Sequence, residues 1–546
     1  MIIKRGEYTV PYGSGMLSKI REEKYKLLIY VICSIFSFCT IAGYLLVNSN
    51  CLARTLKGTI LLLAFTVSGG IILSEILLFF FRHIKKDTVV ARQKFGWKEF
   101  IIWWTLIFVC YIPVWLAFYP GIAAYDANIQ VMQFMQNEIT THHPVLHTLF
   151  LGSLYKAGTV VENPSMGIDW YAIIQMLIMS AIFAYVLAYL RTCGVERWKQ
   201  CLCFIFFAIF PVNSMMAIST TKDSIFAVLV LLFMVQLQEL LSDEQYEWKK
   251  IGAYVFTSVL MLMLRNNAIY AWLLSIPIMT CMKIIKQKKK FCLLHLFILL
   301  CFFMVNRGIM FLSGAEKGSP IELLSVPAQQ MGRVGFYYGD EIADGALTEY
   351  IPRETLEQYD PYLADPIKFQ MNAENVRGDK GGFIKEWIRL GFRYPGTYLN
   401  AFLCNSIGFW YLGDISHANI YADSVADAGY LMDLRLSYND KTIGTEKIIL
   451  PCVHDAYHQW FVENGYQKWF PLQILFAPAF WWWMGVTVVL FLVYRKQYCK
   501  VLPCFFLGAY YISLLFGPAC MVRYIYPIMV CVPVLWCLAG KDPGKG

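Results

Sequence analysis

Charge is scarce in this chain. Asp, Glu, Lys and Arg make up 16% of its 546 residues, against about a quarter in a soluble domain. That excludes an ordinary water-exposed surface. The sequence is 58% hydrophobic, with mean hydropathy +0.49, so most of its length belongs in a bilayer. Internal repeats and low-complexity tracts are absent, which excludes solenoid and linker architectures. No cleavable signal peptide is evident: the first 26 residues are polar and basic, and the apolar run after them is long enough to remain as a span. Of 17 cysteines, only Cys404 and Cys452 fall in the large polar segment, where they could pair if that segment lies outside the cell. The others read as small hydrophobes. The net charge of +9 is no nucleic-acid footprint, because Lys and Arg occur in short clusters between apolar runs.

Those clusters orient the chain. Cations crowd residues 1–26 and the connector holding Arg82, Lys85, Lys86, Arg92, Lys94 and Lys98, which places both in the cytoplasm. Spans are predicted at 27–47, 59–81 and 99–119. The run 145–160 is short for a span, and it must return to the outer face because span 170–190 ends inward at Arg191, Arg197 and Lys199. Residues 124–138 and 144–159 therefore read as two interfacial helices. Further spans follow at 200–217, 224–241, 251–264, 268–282, 291–312, 470–494, 501–518 and 524–540. The expectation is an all-α polytopic membrane protein with about twelve transmembrane helices and both termini cytoplasmic. Residues 1–98 form a tail and two extra spans, and 99–312 a core with an outer loop at 120–168. Residues 313–468 form a mixed, mainly helical extracytoplasmic segment, and 469–546 the last spans. Segment 313–468 holds 13 Lys and Arg against 21 Asp and Glu, and it is too long for a plain loop. A helical cap resting partly on the membrane is expected there, while 398–412 are apolar enough to touch or re-enter it.

The stretch from Tyr119 to His147 organises the rest. Pro120 and Gly121 stop a span at the water interface. Asp126 then stands among uncharged residues, with His142, His143 and His147 close behind. The predicted topology brings Lys222, Asp223, Arg265 and Arg523 to the same side. Each is a single charge at a span end, unlike the cytoplasmic clusters. One such charge alone reads as a snorkelling side chain. Together, a carboxylate facing fixed cations suits an activated hydroxyl and a departing phosphate. His142 and His143 with Asp126, or His454 and His458 at i, i+4, are weak candidates for a divalent metal. Hydrogen bonding to substrate or interfacial packing accounts for both sets better. No cofactor is required by any motif. Trp481, Trp482 and Trp483 read as an outer aromatic belt.

The outer loop with an Asp shortly after a span, the two interfacial helices, Lys222-Asp223, and Arg-Tyr-x-x-Pro at 523–527 resemble the GT-C superfamily. Those are integral membrane glycosyltransferases that use polyprenyl-phosphate sugars. The Tyr-Pro-Gly…Tyr-Asp…Gln and Thr-His-His-Pro wording is also similar to an uncharacterised bacterial group of membrane proteins near that superfamily. The resemblance covers about residues 99–310 and the last spans. It departs in one respect: the superfamily's first loop often carries an acidic pair, whereas Asp126 has no acidic neighbour nearer than Glu138.

The resemblance implies an inverting transfer of sugar from a lipid-linked donor to a cell-surface acceptor, at the outer face of a bacterial cytoplasmic membrane. Asp126 would be the general base. Lys222, Arg265 and Arg523 would hold the lipid phosphate, and Asp223 would orient Lys222. Tyr125, Gln130, His142, His143 and Arg333, with Gln329 and Gln330, are the remaining candidate contacts. Two other readings stay open: a transporter or flippase for a lipid-linked or anionic substrate, and a non-catalytic factor in surface-polymer assembly. Nucleic acid is not an expected partner.

Overall fold

A computed structural model describes residues 14–52, 55–84, 93–123, 125–242, 247–342, 346–413, 436–438, 441–443, 447–462 and 465–539. The described residues are helical nearly throughout, with one short antiparallel hairpin among them pairing Leu436–Tyr438 with Lys441–Ile443. Cations expected at Lys4, Arg5, Lys85, Lys86, Arg92 and Lys541 lie outside the described residues.

The helices of the first half are α1 (Ser14–Ser49), α2 (Leu56–His83), α3 (Trp97–Ala117), α4 (Tyr125–Gln136), α5 (Val145–Val160), α6 (Pro164–Thr192), α7 (Arg197–Ile209), α8 (Pro211–Ile218), α9 (Lys222–Ser242), α10 (Trp248–Leu264), α11 (Ala268–Cys281) and α12 (Lys288–Ser313). Among the described residues, six helices are long and apolar enough to cross a membrane, or up to eight if two bent pairs each count as one span. The bent pairs are α7 with α8, at 47°, and Phe470–Phe476 with Pro478–Tyr494, at 75°. In both, proline opens the second helix: it lacks the N–H that would continue the first and clashes with the preceding turn. Shorter apolar helices occupy Ala268–Cys281, Tyr498–Leu514 and Val522–Leu538. The chain is thus a polytopic helical membrane protein.

The core forms around α6, α9 and Val522–Leu538. Of the apolar window of α9, 78% is buried, against 17% in α2 and 11% in α12, so α2 and α12 turn their apolar faces outward. α1 and α2 pack closely through small residues: a Cβ on Gly70 would meet the Ser34 side chain and backbone. Close approach at small residues is what holds helices together where lipid removes the hydrophobic drive.

Helices α4 and α5 form where two interfacial helices are expected, and both pack with α6 in one small core through Ala127, Val131, Leu151, Tyr155 and Tyr171. A Cβ on Gly167 would strike the α5 backbone at Leu154 and Tyr155, so α6 approaches α5 at backbone contact.

The segment after α12 has a core of its own, including Ala328, Met331, Val334, Ile351, Ile367 and Leu390. It is tied to the helical bundle by backbone. Ala364 N donates to Pro518 O at 2.9 Å, and Glu316 N to Ile139 O at 2.8 Å. Helix Pro395–Asn405 and the turn after it dock on α1, with Leu46, Cys404, Ile407 and Trp410 buried together.

One open question closes and two expectations need correction. Cys404 and Cys452 are both free, the first buried and the second exposed, because Cys404 is drawn into the contact with α1. Trp481 is no part of a belt: it is buried against Phe206 and Phe210. Trp482 stacks on Tyr511 at 3.5 Å, and Trp483 donates to the Trp410 carbonyl at 2.9 Å. Arg333 is no open contact either. It is 3% exposed, donates to the Asn50 carbonyl and to Tyr359 Oη, and lies over the Tyr337 ring. Gln329 donates to the Asp360 carbonyl and Gln330 to the Tyr398 carbonyl. All three brace the cap.

Candidate functional site

The site begins with a backbone clip. Gly121 has φ +147°, and a Cβ there would lie 3.0 Å from the Ile218 carbonyl, so only glycine lets the loop approach. Beyond it, Ile122 N donates to Ile218 O at 3.0 Å, and Thr220 N donates to Ile122 O at 2.9 Å. These two bonds pin the loop after α3 against the link between α8 and α9. Asp126 follows four residues later in the first turn of α4, and Lys222 and Asp223 open α9. Each carboxylate stands at a helix N-terminus, where the backbone dipole favours negative charge.

The link between α8 and α9 is held from beneath. Gln175 of α6, fully buried, donates to the carbonyls of Met216, Ala217 and Ser219 at 2.8, 3.1 and 2.6 Å. It caps the orphan carbonyls of α8. A buried polar chain runs outward from it. Tyr171 Oη donates to Gln175 Oε1 at 3.0 Å and meets His147 Nε2 at 2.8 Å. His147 Nδ1 faces Gln130 Oε1 at 3.1 Å, and Gln130 donates to Thr148 at 2.9 Å. Gln130 and His147 therefore sit behind the loop, orienting it.

Five of the expected residues meet. Lys222 Nζ pairs with Asp126, and Arg523 Nη1 lies 3.6 Å from the same carboxylate oxygen. Arg265 pairs with Asp223, whose other oxygen is 3.9 Å from Arg523 Nε. Thr221 Oγ1 is 3.4 Å from that oxygen. Asp223 thus holds Arg265, not Lys222 as expected. Neighbouring residues on a helix point in different directions, so Lys222 reaches back to α4 while Asp223 faces α10. The Arg265 guanidinium lies 4.7 Å from the centroid of the Tyr524 ring, and that of Arg523 lies 5.1 Å away on the same ring.

His143 joins the cluster, its Nδ1 3.4 Å from Lys222 Nζ and 3.9 Å from Asp126. His142 turns away, half-buried, toward Glu322 at 3.5 Å. Asn266 clamps this loop by donating to the carbonyls of Thr141 and His142, both at 3.2 Å. Asn267 accepts from Arg265 Nε at 3.0 Å and donates to Ser513. The Tyr125 side chain lies outside the described residues.

Three cations face two carboxylates, leaving one positive charge in excess while His143 is neutral. The side chains are nearly dry: Asp223 is 1% exposed, Arg523 6%, Arg265 11%, Lys222 14% and Asp126 16%. Burial opposes ionisation of Asp126, but Lys222 and then Arg523 outweigh it and hold the carboxyl well below its usual range. Burial first, and Lys222 second, push His143 down to about 2 and His147 to about 3. Chemically, fixed cations paired with carboxylates in a dry site are able to exchange those partners for another anion.

Among the described residues, no group of three or more His, Cys, Asp or Glu comes together as a metal site. His454 instead packs on Phe118 and lies 3.2 Å from Asp455, while His458 stacks beside it at 6.0 Å. Sequence reading missed Gln175, Asn266, Asn267 and Tyr524. The polar run Arg265-Asn266-Asn267 after an apolar helix was the available signal for two of them.

No curated protein and no solved structure matches the chain. One family does, over residues 134–542, which takes in Lys222, Arg265 and Arg523 and leaves Asp126 just outside. By that match across more than half its length, the chain belongs to DUF6020, a family of unknown function.

Proposed function

We propose that this protein is an inverting membrane glycosyltransferase of the GT-C type, moving a sugar from a polyprenyl-phosphate donor to an extracytoplasmic acceptor. The observation that carries the reading is the convergence of Asp126, Lys222, Asp223, Arg265 and Arg523, from four separated segments, in one dry cluster at shared helix ends.

The charge of the cluster suits the donor. A polyprenyl-phosphate sugar carries one negative charge on its phosphodiester, matching the one positive charge in excess. As the bond from C1 of the sugar to the phosphate oxygen breaks, a second negative charge grows on the leaving phosphate. Arg265, Arg523 and Lys222 are placed to stabilise it without reorganising. With Lys222 and Arg523 drawn to phosphate, Asp126 loses the partners that suppress its basicity. It then takes the proton from the acceptor hydroxyl as that oxygen bonds C1 from the opposite face, so configuration inverts.

In this reading the twelve predicted spans leave both termini in the cytoplasm of a bacterium, with the cluster and residues 313–468 outside and the cap supplying acceptor contacts. Cysteine-accessibility labelling should find residues 120–168 outside; residue 165 labelled from the cytoplasm contradicts it. The decisive assay is transfer from labelled polyprenyl-phosphate sugars by the purified protein in lipid discs.

One observation favours a second reading. Two bent helix pairs, α7 with α8 and Phe470–Phe476 with Pro478–Tyr494, are the kind of discontinuity that transporters place at substrate sites. The charges here, however, stand at helix ends. Donor crossing the bilayer with no sugar transferred supports the transporter.

A further inference from the structure

His143 is buried in the loop that precedes α5, 4% exposed. Three elements fix that loop. Asn266 holds its carbonyls, Thr141 N donates to Glu316 O at 2.8 Å, and Gly318 N donates to Thr141 Oγ1 at 2.9 Å. The ring packs edge-on against His142 at 4.3 Å, and its Nδ1 faces the Lys222 ammonium at 3.4 Å, with the Asp126 carboxylate farther off at 3.9 Å. An ammonium donates and cannot accept. Nδ1 must therefore present its lone pair, and the proton of the neutral ring sits on Nε2. That nitrogen is buried, and among the described residues nothing accepts its hydrogen bond. A buried donor left unmet is a standing cost, and a bound acceptor relieves it.

We propose that His143 is a phosphate-binding residue whose Nε2–H donates to a non-bridging oxygen of the phosphate held by Lys222, Arg265 and Arg523. The identity of that anion rests on the function proposed above. A phosphate oxygen only accepts, as this donor requires. A neutral donor also adds a bond without enlarging the positive charge already in excess. Nε2 is buried in the resting state and faces away from Lys222, so the ring turns to present it once the ligand takes Lys222 from Nδ1.

The test uses the whole protein in lipid discs with His143→Gln, His143→Asn and His143→Phe. A Gln amide nitrogen reaches where Nε2 stands, and an Asn amide where Nδ1 stands. Binding of polyprenyl phosphate and of inorganic pyrophosphate is read by tryptophan fluorescence. His143→Gln should stay within about threefold of wild type, while His143→Asn and His143→Phe weaken binding by about tenfold to a hundredfold, the range of a charge-assisted bond. Weakening for both probes supports a phosphate contact; weakening for the lipid alone overturns it. His143→Phe binding like wild type overturns the proposal, as does His143→Gln falling as far as His143→Phe. If His143→Phe fails to fold, equal affinity of the Gln and Asn variants overturns it. Wild type that binds phosphate but transfers no sugar removes the glycosyltransferase reading and leaves this one standing. Wild type that binds neither probe removes the inference.

Discussion

Replacing Asp223 with Asn should be among the most destabilising single changes in the chain. Asp223 is 1% exposed and pairs with Arg265, itself 11% exposed. Asn keeps the shape but removes the charge, leaving Arg265 buried without a carboxylate and raising the excess from one positive charge to two. Breaking a buried pair from one side costs about 3–5 kcal/mol. Arg265→Met is the milder change, at about 1–3 kcal/mol, because Arg523 already lies 3.9 Å from Asp223 and can take it over. The double variant removes both charges and should be more stable than the sum of the singles predicts by at least about 2 kcal/mol. Denaturant titration in mixed micelles, followed by tryptophan fluorescence, gives the cycle. Additivity within about 0.5 kcal/mol, or Asp223→Asn as stable as wild type, refutes the pairing.

Acid should destabilise the protein through its buried histidines. His143 and His147 stay neutral when folded, near 2 and 3, but protonate near 6.5 when unfolded. The unfolded state therefore binds more protons between about pH 6.5 and 3, and stability falls in that window by about 1.4 kcal/mol per pH unit for each histidine. A flat stability profile from pH 7 to 5 contradicts this. Gly121→Ala adds a side chain at φ +147°, 3.0 Å from the Ile218 carbonyl. It should cost about 1–3 kcal/mol and weaken phosphate binding by shifting Asp126 against Lys222; unchanged stability and binding would show that the clip does not set the site.

Much of the helical framework was legible in sequence because apolar runs and basic connectors are separate signals here. The α9 boundary at Lys222 and the end of α10 before Arg265 fall where polar residues interrupt apolar runs. The meeting of Asp126, Lys222, Arg265 and Arg523 was legible too, since each is a single charge at a predicted outer end. Their pairing was not. Alternation places residues on a side of the membrane but says nothing of direction around a helix, so Lys222 and Asp223 looked like partners and in fact diverge. Arg333 misled because a cation in an outer segment suggests a ligand, whereas cap packing folds it onto Tyr359 and the Asn50 carbonyl. Pro211 and Pro478 marked the breaks in two helices, but composition alone read through them.

The role proposed for Asp126 is to accept a proton during sugar transfer. Asp126→Asn keeps the size of the side chain and a hydrogen bond near Lys222 but cannot act as a base. In lipid discs, with labelled polyprenyl-phosphate sugars and an acceptor extract, it should slow turnover by about 10²–10⁴-fold, with donor binding retained or strengthened as Lys222 loses its competing carboxylate. Transfer by Asp126→Asn at the wild-type rate would contradict the account.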